Sequence, residues 1–394
     1  GKSKCSNNSY EDVIQEFGYK QEDLNKFKPI EIKDIKKTAA CILHTSGSTG
    51  HSKGVIIPHA TLHQLNLHTK GIDLKGQPIF AYSVLSWVSG LFMLVAGVIH
   101  GAVRIYSRTS FSEDKLMQIM QKYRPTFMML SCFQVSLVNT FLQDRPELAK
   151  HFAEVKTLYT AGSKLSPKQF ETTQKLLVSG KLVMWYGLTE CMNGATTLSC
   201  PEYRPRTVGK LCPNTELKVL SLETGLCLGP NKQGEICMRG PTMLGYFDNP
   251  EATAQVLDAK TGWFKTGDVG YYDEDGYVYI IDRIKEIAKY KEIYVNPSDI
   301  EDVACQHPDV RGCAVVSVSH DEVCDLMVGY VELLPGHNNI TVQELEQYIN
   351  DHVQDHEKLR GGLYIVKALP MLPNGKKDKK AVRKMAKDMT SQIY

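Results

Sequence analysis

Between residues 41 and 60 the chain reads CILHTSGSTGHSKGVIIPHA. Thr45, Ser46, Gly47, Ser48, Thr49 and Gly50 form an unbroken run of hydroxyls and glycines, with Lys53 just beyond. Such a run offers several backbone N–H groups and hydroxyl donors to one anion, and glycine lets the anion approach the backbone closely. Lys53 adds a point charge suited to phosphate. In a Walker loop glycine immediately precedes the lysine and Ser or Thr follows it. Here Ser52 precedes Lys53 and Gly54 follows, so that arrangement is absent. A plain Gly/Ser turn is the competing reading, and only partners elsewhere in the chain separate the two.

Several segments supply candidate partners. WYGLTE carries Tyr186, Gly187, Leu188, Thr189 and Glu190; TAGSKLS carries Ala161, Gly162 and Ser163. Further on stand Asp268 in TGD, Arg283 in DR, the lysines of DRIKEIAKYKEIYVNPSDIE, and Lys376 in LPMLPNGKKDKKAV. Taken singly, each has a bland reading: a strand end, a turn, a solvated charged face, a surface lysine.

Taken in order, they resemble the motifs of the adenylate-forming superfamily, which includes acyl-CoA synthetases, 4-coumarate-CoA ligases and insect luciferases. The carriers are TSGSTGxxKG, TAGSKLS, WYGLTE, GEICMRGPTMLGYFDNPEAT, TGD with DR, the lysine-rich hinge and PNGK, running from Thr45 to Lys376. The resemblance implies ATP, Mg²⁺ and coenzyme A as cofactor and substrates, with a small-molecule carboxylate. It implies that the 45–53 loop steers the terminal phosphates, Tyr186 stacks on adenine, and Thr189 donates to the α-phosphate. Gly162, Ser163 and Gly187 floor the nucleotide, and Asp268 and Arg283 hold the ribose. Glu190 would carry Mg²⁺, which prefers carboxylate oxygen. Trp87, Ala161 and Leu188 would line the acyl pocket. Lys376 would tie substrate carboxylate to α-phosphate. The lid would then turn about Lys285 and present Lys289 and Lys291 to coenzyme A.

By the same resemblance the leading expectation is a medium- or long-chain fatty acyl-CoA or 4-coumarate-CoA-like ligase. Two alternatives stand beside it: a luciferase-like adenylating enzyme with another acceptor, and a truncated product that binds nucleotide or a partner. Three departures from the pattern bear on the choice. Trp87 stands where luciferases carry a His-containing stretch, Glu292 stands where the lid motif has Gly, and only 44 residues precede the loop. The family carries a further sub-domain there, so the large domain is expected to lack its N-terminal part and to leave apolar surface uncovered near AACILHT and residues 84–99.

The elements that must position these residues follow from periodicity. AACILHT, TFMML, VKTLYTAG and KLVMWYG read as strands. SEDKLMQIMQKY reads as a helix opened by a Ser cap, and SPKQFETTQKLL as one with Pro in its first turn. This alternation predicts a mainly parallel sheet covered on both faces. From about Gly209 to Arg283, short strands punctuated by Gly, Pro and Asn predict antiparallel β-structure. Residues 284–394 read as a compact α+β unit. The expected architecture is therefore α/β: a large N-terminal AMP-binding domain, 1–283, with a β-rich subdomain at 209–283, then a small mobile C-terminal α+β lid at 284–394.

The bulk numbers exclude little. In 394 residues, 46 Lys+Arg face 44 Asp+Glu for a net charge of +2, which gives nucleic acid no basic surface to prefer. Eleven cysteines without a CxxC pair suit a reducing compartment, where thiols serve as small buried hydrophobes. The uncharged stretch from Gly76 to Val103 is broken by Ser, Gly and His and is expected to be a strand leading into a buried helix, not a transmembrane segment. SQIY is not a Ser-Lys-Leu tripeptide, and the expected compartment is cytoplasmic or peroxisomal. Nothing in the residues sets an oligomeric state.

Overall fold

In the computed structural model, residues 28–45, 52–69, 71–291, 293–337, 340–372 and 376–390 are described. Ser46–Gly50 and Glu292 lie outside them, so the expectations placed there carry no structural account.

The strands Pro78–Ala81, Val103–Ile105, Phe127–Ser131, Thr157–Ala161 and Lys181–Tyr186 run parallel, as the alternation predicts. Phe127–Leu130, Thr157–Thr160 and Leu182–Trp185 are buried without interruption, the pattern of strands covered on both faces. Helix starts are written locally. Ser112 accepts from the Lys115 N–H, while Ser131 and Ser166 each form a reciprocal capping box with Gln134 and Gln169. Pro167 occupies the first turn of Pro167–Leu176, where its missing N–H costs nothing.

The parallel strands do not end in a separate sheet. Ala195–Thr196 and Gly209–Leu211 continue hydrogen bonding from Lys181–Tyr186 to Tyr277–Arg283, joining the antiparallel strands to the parallel ones in one twelve-stranded sheet. One departure concerns Ala39–His44. It is a strand, but it folds back antiparallel on Gly54–Pro58 in a small sheet of its own, completed by Gly245–Tyr246. The strands on either side of the 45–53 segment therefore pair as a hairpin. The strand after it is as apolar as the strand before it, and local pattern does not reveal that the two pair.

The Gly76–Val103 stretch resolves into a strand, the thirteen-residue helix Val88–His100 and another strand. Among the described residues no helix is long and apolar enough to cross a membrane. Val98, Ile99, Val103 and Tyr106 are exposed, as are Ile42, Val84 and Leu85. The ten described cysteines are free thiols, and six of them are buried.

From Ala288 on, a second sheet of five strands carries its own cores. The long hairpin Val310–His320 and Cys324–Leu333 forms its centre, and Leu363–Val366 adds in parallel. Pro297–Ala304, Val342–Asp351 and Lys379–Thr390 pack on it, the second opened by a capping box at Thr341.

Candidate active site

The hairpin strands bring the ends of the 45–53 loop together. Thr45 N–H donates to the Lys53 carbonyl at 3.0 Å, and Lys53 N–H donates to Thr45 Oγ1 at 3.0 Å. Lys53 then projects over the Tyr246 ring, its Nζ 4.7 Å from the centroid. Tyr246 is placed by its own pairing with Val55 and is 8% exposed. Its hydroxyl donates to Glu190 Oε1 at 2.8 Å. Tyr246 thus links loop to carboxylate, a role invisible in a stretch that reads as glycine-punctuated turns. The signal available in sequence was the aromatic ring inside an otherwise turn-forming motif.

Glu190 and Thr189 occupy a tight turn after the Lys181–Tyr186 strand, both half-buried. Met243 N–H donates to the Glu190 carbonyl at 2.7 Å and fixes the turn against the small sheet. Gly187 is needed here for space: a Cβ on it would sit 2.1 Å from the Met192 carbonyl oxygen. Among the described residues no three His, Cys, Asp or Glu converge on one point. If Mg²⁺ were held here, Glu190 would supply a single carboxylate, which suits an ion that keeps most of its ligands from outside the protein.

Tyr186, half-buried, donates its hydroxyl to Asp268 Oδ2 at 2.6 Å, and Arg283 Nε donates to Oδ1 at 2.8 Å. Asp268 is 4% exposed, and burial pushes its carboxyl up against the opposing pull of Arg283 and Tyr186. Arg283 lies directly across from Asp268 on the adjacent antiparallel strand, and Tyr186 reaches it from the end of the parallel strand Lys181–Tyr186. Each carboxylate oxygen retains a lone pair, so acceptance of further hydroxyl donors is open to it.

Gly162, at φ +98°, opens the bend after Thr157–Ala161. A Cβ there would lie 3.5 Å from Lys376 Cε. Lys376 is drawn from the far end of the chain into the field of Asp268, Arg283 and Glu190. Burial, with Arg283 adding to it, lowers its ammonium below the usual lysine range. Ser163 is exposed; its carbonyl accepts from the buried Cys132 thiol at 3.0 Å.

The remaining candidates divide. Ala161 and Leu188 pack on the core that holds Phe92, Tyr159 and Trp185. Trp87 is half-buried at the N-terminus of Val88–His100 and does not belong to that core. His68, which sequence reasoning missed, lies among those rings, 4.7 Å from the Trp185 centroid. Its Nε2 bonds Asn193 Oδ1 at 2.5 Å, and burial holds its pKa down at about 4. His68, Asn193 and Cys212 border a cavity of about 400 Å³. Lys285 lies in the exposed turn Ile284–Glu286. Lys289 and Lys291 stand on the hairpin that follows, their ammonium groups over Tyr294 and Tyr290.

A family model described as AMP-binding enzyme matches residues 4–247, and one described as AMP-binding enzyme C-terminal domain matches residues 299–376. The luciferin 4-monooxygenase of Luciola mingrelica is 32% identical over 373 residues, covering 92% of this chain and 66% of that protein. The probable 4-coumarate–CoA ligase 1 of Dictyostelium discoideum is 30% identical over 388 residues, covering 96% and 68%. The chain thus spans about two thirds of the length of the curated relatives it matches. Among solved structures, ATP-bound MatB from Rhodopseudomonas palustris shares the fold with a TM-score of 0.82 at 23% identity, covering 92% of this chain and 71% of that one. The motifs, the fold and these matches agree: the chain belongs to the AMP-binding enzyme family.

Proposed function

We propose that this protein activates a small-molecule carboxylate by ATP-dependent adenylation and passes the acyl group to coenzyme A. The observation that carries the reading is the arrival of Lys376 at Gly162, beside Asp268, Arg283 and Glu190. The arrangement suits the chemistry. A carboxylate is a poor electrophile, and transfer to AMP supplies a leaving group. Its oxygen attacks the α-phosphorus, pyrophosphate leaves, and a thiolate then displaces AMP from the carbonyl carbon.

Charge grows on the phosphoryl oxygens along this path, so fixed cations and N–H donors matter more than covalent help. Lys376 holds the carboxylate and α-phosphate together. Lys53 and the donors of its loop take the terminal phosphates. The Tyr186 ring faces the base, Thr189 donates to the α-phosphate, and Asp268 with Arg283 receives the ribose. Mg²⁺ on Glu190, when bound, neutralises phosphate charge; Tyr246 orients the carboxylate that would hold it. In this reading residues 1–283 form the nucleotide and acyl domain, 209–283 its β-rich part, and 284–394 the lid. Lys285 is the hinge, and Lys289 and Lys291 serve the thioester step.

The substrate class we assign is a medium- or long-chain fatty acid or a 4-coumarate-like aromatic acid, with Trp87, Ala161 and Leu188 along the acyl path. The relatives include coenzyme A ligases acting on aromatic acids, which supports the second of these. A luciferase-like reaction with another acceptor is the second reading, favoured by the 32% identity to luciferin 4-monooxygenases. Pyrophosphate release measured with a panel of carboxylates, with and without coenzyme A, tests both. Carboxylate-dependent release accompanied by acyl-CoA is expected. Release without thioester favours the second reading, and no release with any carboxylate overturns adenylation.

A further inference from the structure

The helix Pro297–Ala304 touches both sides of the site without lining it. At its first turn, Ser298 Oγ accepts from Lys164 Nζ at 2.9 Å and donates to the Ile281 carbonyl at 3.1 Å. Lys164 is two residues past Gly162. Asp299 adds a longer contact to the same ammonium at 3.9 Å.

One turn further on, at a rise of about 1.5 Å per residue, the helix presents Glu301 to the interior. Glu301 is 7% exposed. Its carboxylate accepts from Val315 N–H at 2.8 Å and from the ammonium groups of Lys377 and Lys379. Lys379 also donates to the Val315 carbonyl at 2.6 Å. A buried carboxylate is costly unless paired and hydrogen-bonded on both oxygens, and this one is.

Lys377 is the residue after Lys376. The Lys376 carbonyl accepts from Leu372 N–H at 2.7 Å, Met371 and Lys377 form an antiparallel bridge, and Asp378 N–H donates to the Pro370 carbonyl at 2.8 Å. Lys376 therefore adjoins a bridge, Met371 with Lys377, that Glu301 grips through Lys377. The contacts form a ring: Gly162 to Lys164, Lys164 to Ser298, along the helix to Glu301, then through Lys377 to Lys376, which returns to Gly162.

We infer that Glu301 is a positioning residue, the buried anchor that, through Lys377, sets how far Lys376 reaches over Gly162. The inference rests on the reading of Lys376 as the adenylation lysine. It separates two properties usually lost together, ATP binding and alignment of the amine. A small misplacement of a reacting group lowers rate steeply while leaving ground-state contacts in place.

The test uses the full chain and the variants Glu301→Gln, Glu301→Asp and Lys377→Met. Lys377→Met keeps the Glu301–Lys379 pair, so it stays informative where Glu301→Gln fails to fold. For Glu301→Gln and Lys377→Met, kcat for carboxylate-dependent pyrophosphate release is expected to fall on the order of 10- to 100-fold. KM for ATP and thiolysis of a preformed acyl adenylate by coenzyme A stay unchanged, and Glu301→Asp restores part of kcat. Independently of turnover, labelling of Lys376 by an amine-reactive reagent, read by mass spectrometry, is expected to be faster in both variants, and ATP protection weaker. Equal kcat and equal labelling overturn the proposal, as does a loss spread equally over adenylation, thiolysis and KM. No pyrophosphate release from the unaltered chain sinks the adenylation reading instead, and the labelling arm still decides whether Glu301 places Lys376.

Discussion

Lys376 and His68 show what burial does to a titratable side chain in opposite contexts. Lys376 is half-buried at a place where Asp268 and Glu190 offset part of the cost of its charge. In the proposed reaction its loss removes a cation from the transition state, not from the folded core. Lys376→Ala is expected to lower carboxylate-dependent pyrophosphate release about 10²- to 10³-fold, with ATP binding by calorimetry retained. The His68 ring nitrogen meets Asn193 Oδ1 and, at 3.8 Å, the Cys212 thiol, and its pKa of about 4 lies below the ordinary 6.5. The unfolded chain therefore takes up this proton at a higher pH than the folded one, and stability falls as pH drops from about 6.5 toward 4. The loss amounts to about 3 kcal/mol across that window. Urea midpoints measured through it are expected to flatten in His68→Gln. Lys376 was legible from the turn motif around it. His68 was not, because a histidine in HATLHQLNLHT carries no mark of the aromatic core that closes on it.

Elements decide whether such residues meet. Parallel strands and capped helices were readable because Ser112, Pro167 and the unbroken apolar runs act within a few residues of one another. The turn that follows Lys181–Tyr186 was readable as a motif but not as a constraint. A Cβ on Gly187 would meet the Met192 carbonyl oxygen, so the turn that carries Thr189 and Glu190 takes its path only with glycine there. Gly187→Ala is expected to displace that turn and to lower adenylation at least on the order of tenfold, with far-ultraviolet circular dichroism unchanged. The 45–53 hairpin shows the opposite limit. Its first strand was visible, but the antiparallel partner Gly54–Pro58 was not, and the third strand, Gly245–Tyr246, comes from about two hundred residues away. That distant pairing is what sets Tyr246 between Lys53 and Glu190.

At the scale of the whole molecule, the small five-stranded sheet keeps its own cores while lending Lys376 to the large one. Lys164 to Ser298 and Ser298 to Ile281 are polar contacts at this junction. Bonds of this kind contribute only about 1–3 kcal/mol each, which is compatible with the lid proposed for residues 284–394. Lys164→Ala is expected to lower adenylation severalfold while leaving thiolysis of a preformed adenylate intact, measured by single-turnover kinetics. An equal loss in both steps counts against a role specific to adenylation.

The sequence by itself determined which groups are available and in what order: hydroxyl donors and Lys53 early, Tyr186 to Glu190 midway, Asp268 and Arg283 later, Lys376 near the end. It also determined the local elements, since caps, turns and apolar periodicity act over a few residues. Only the tertiary structure decided the company these groups keep. It tied Tyr246 to Glu190, buried His68 among rings, and set the helix Pro297–Ala304 between Lys164 and Lys377. Those contacts join residues far apart in the chain, and their energies come from burial and long-range pairing, which no short window of sequence contains.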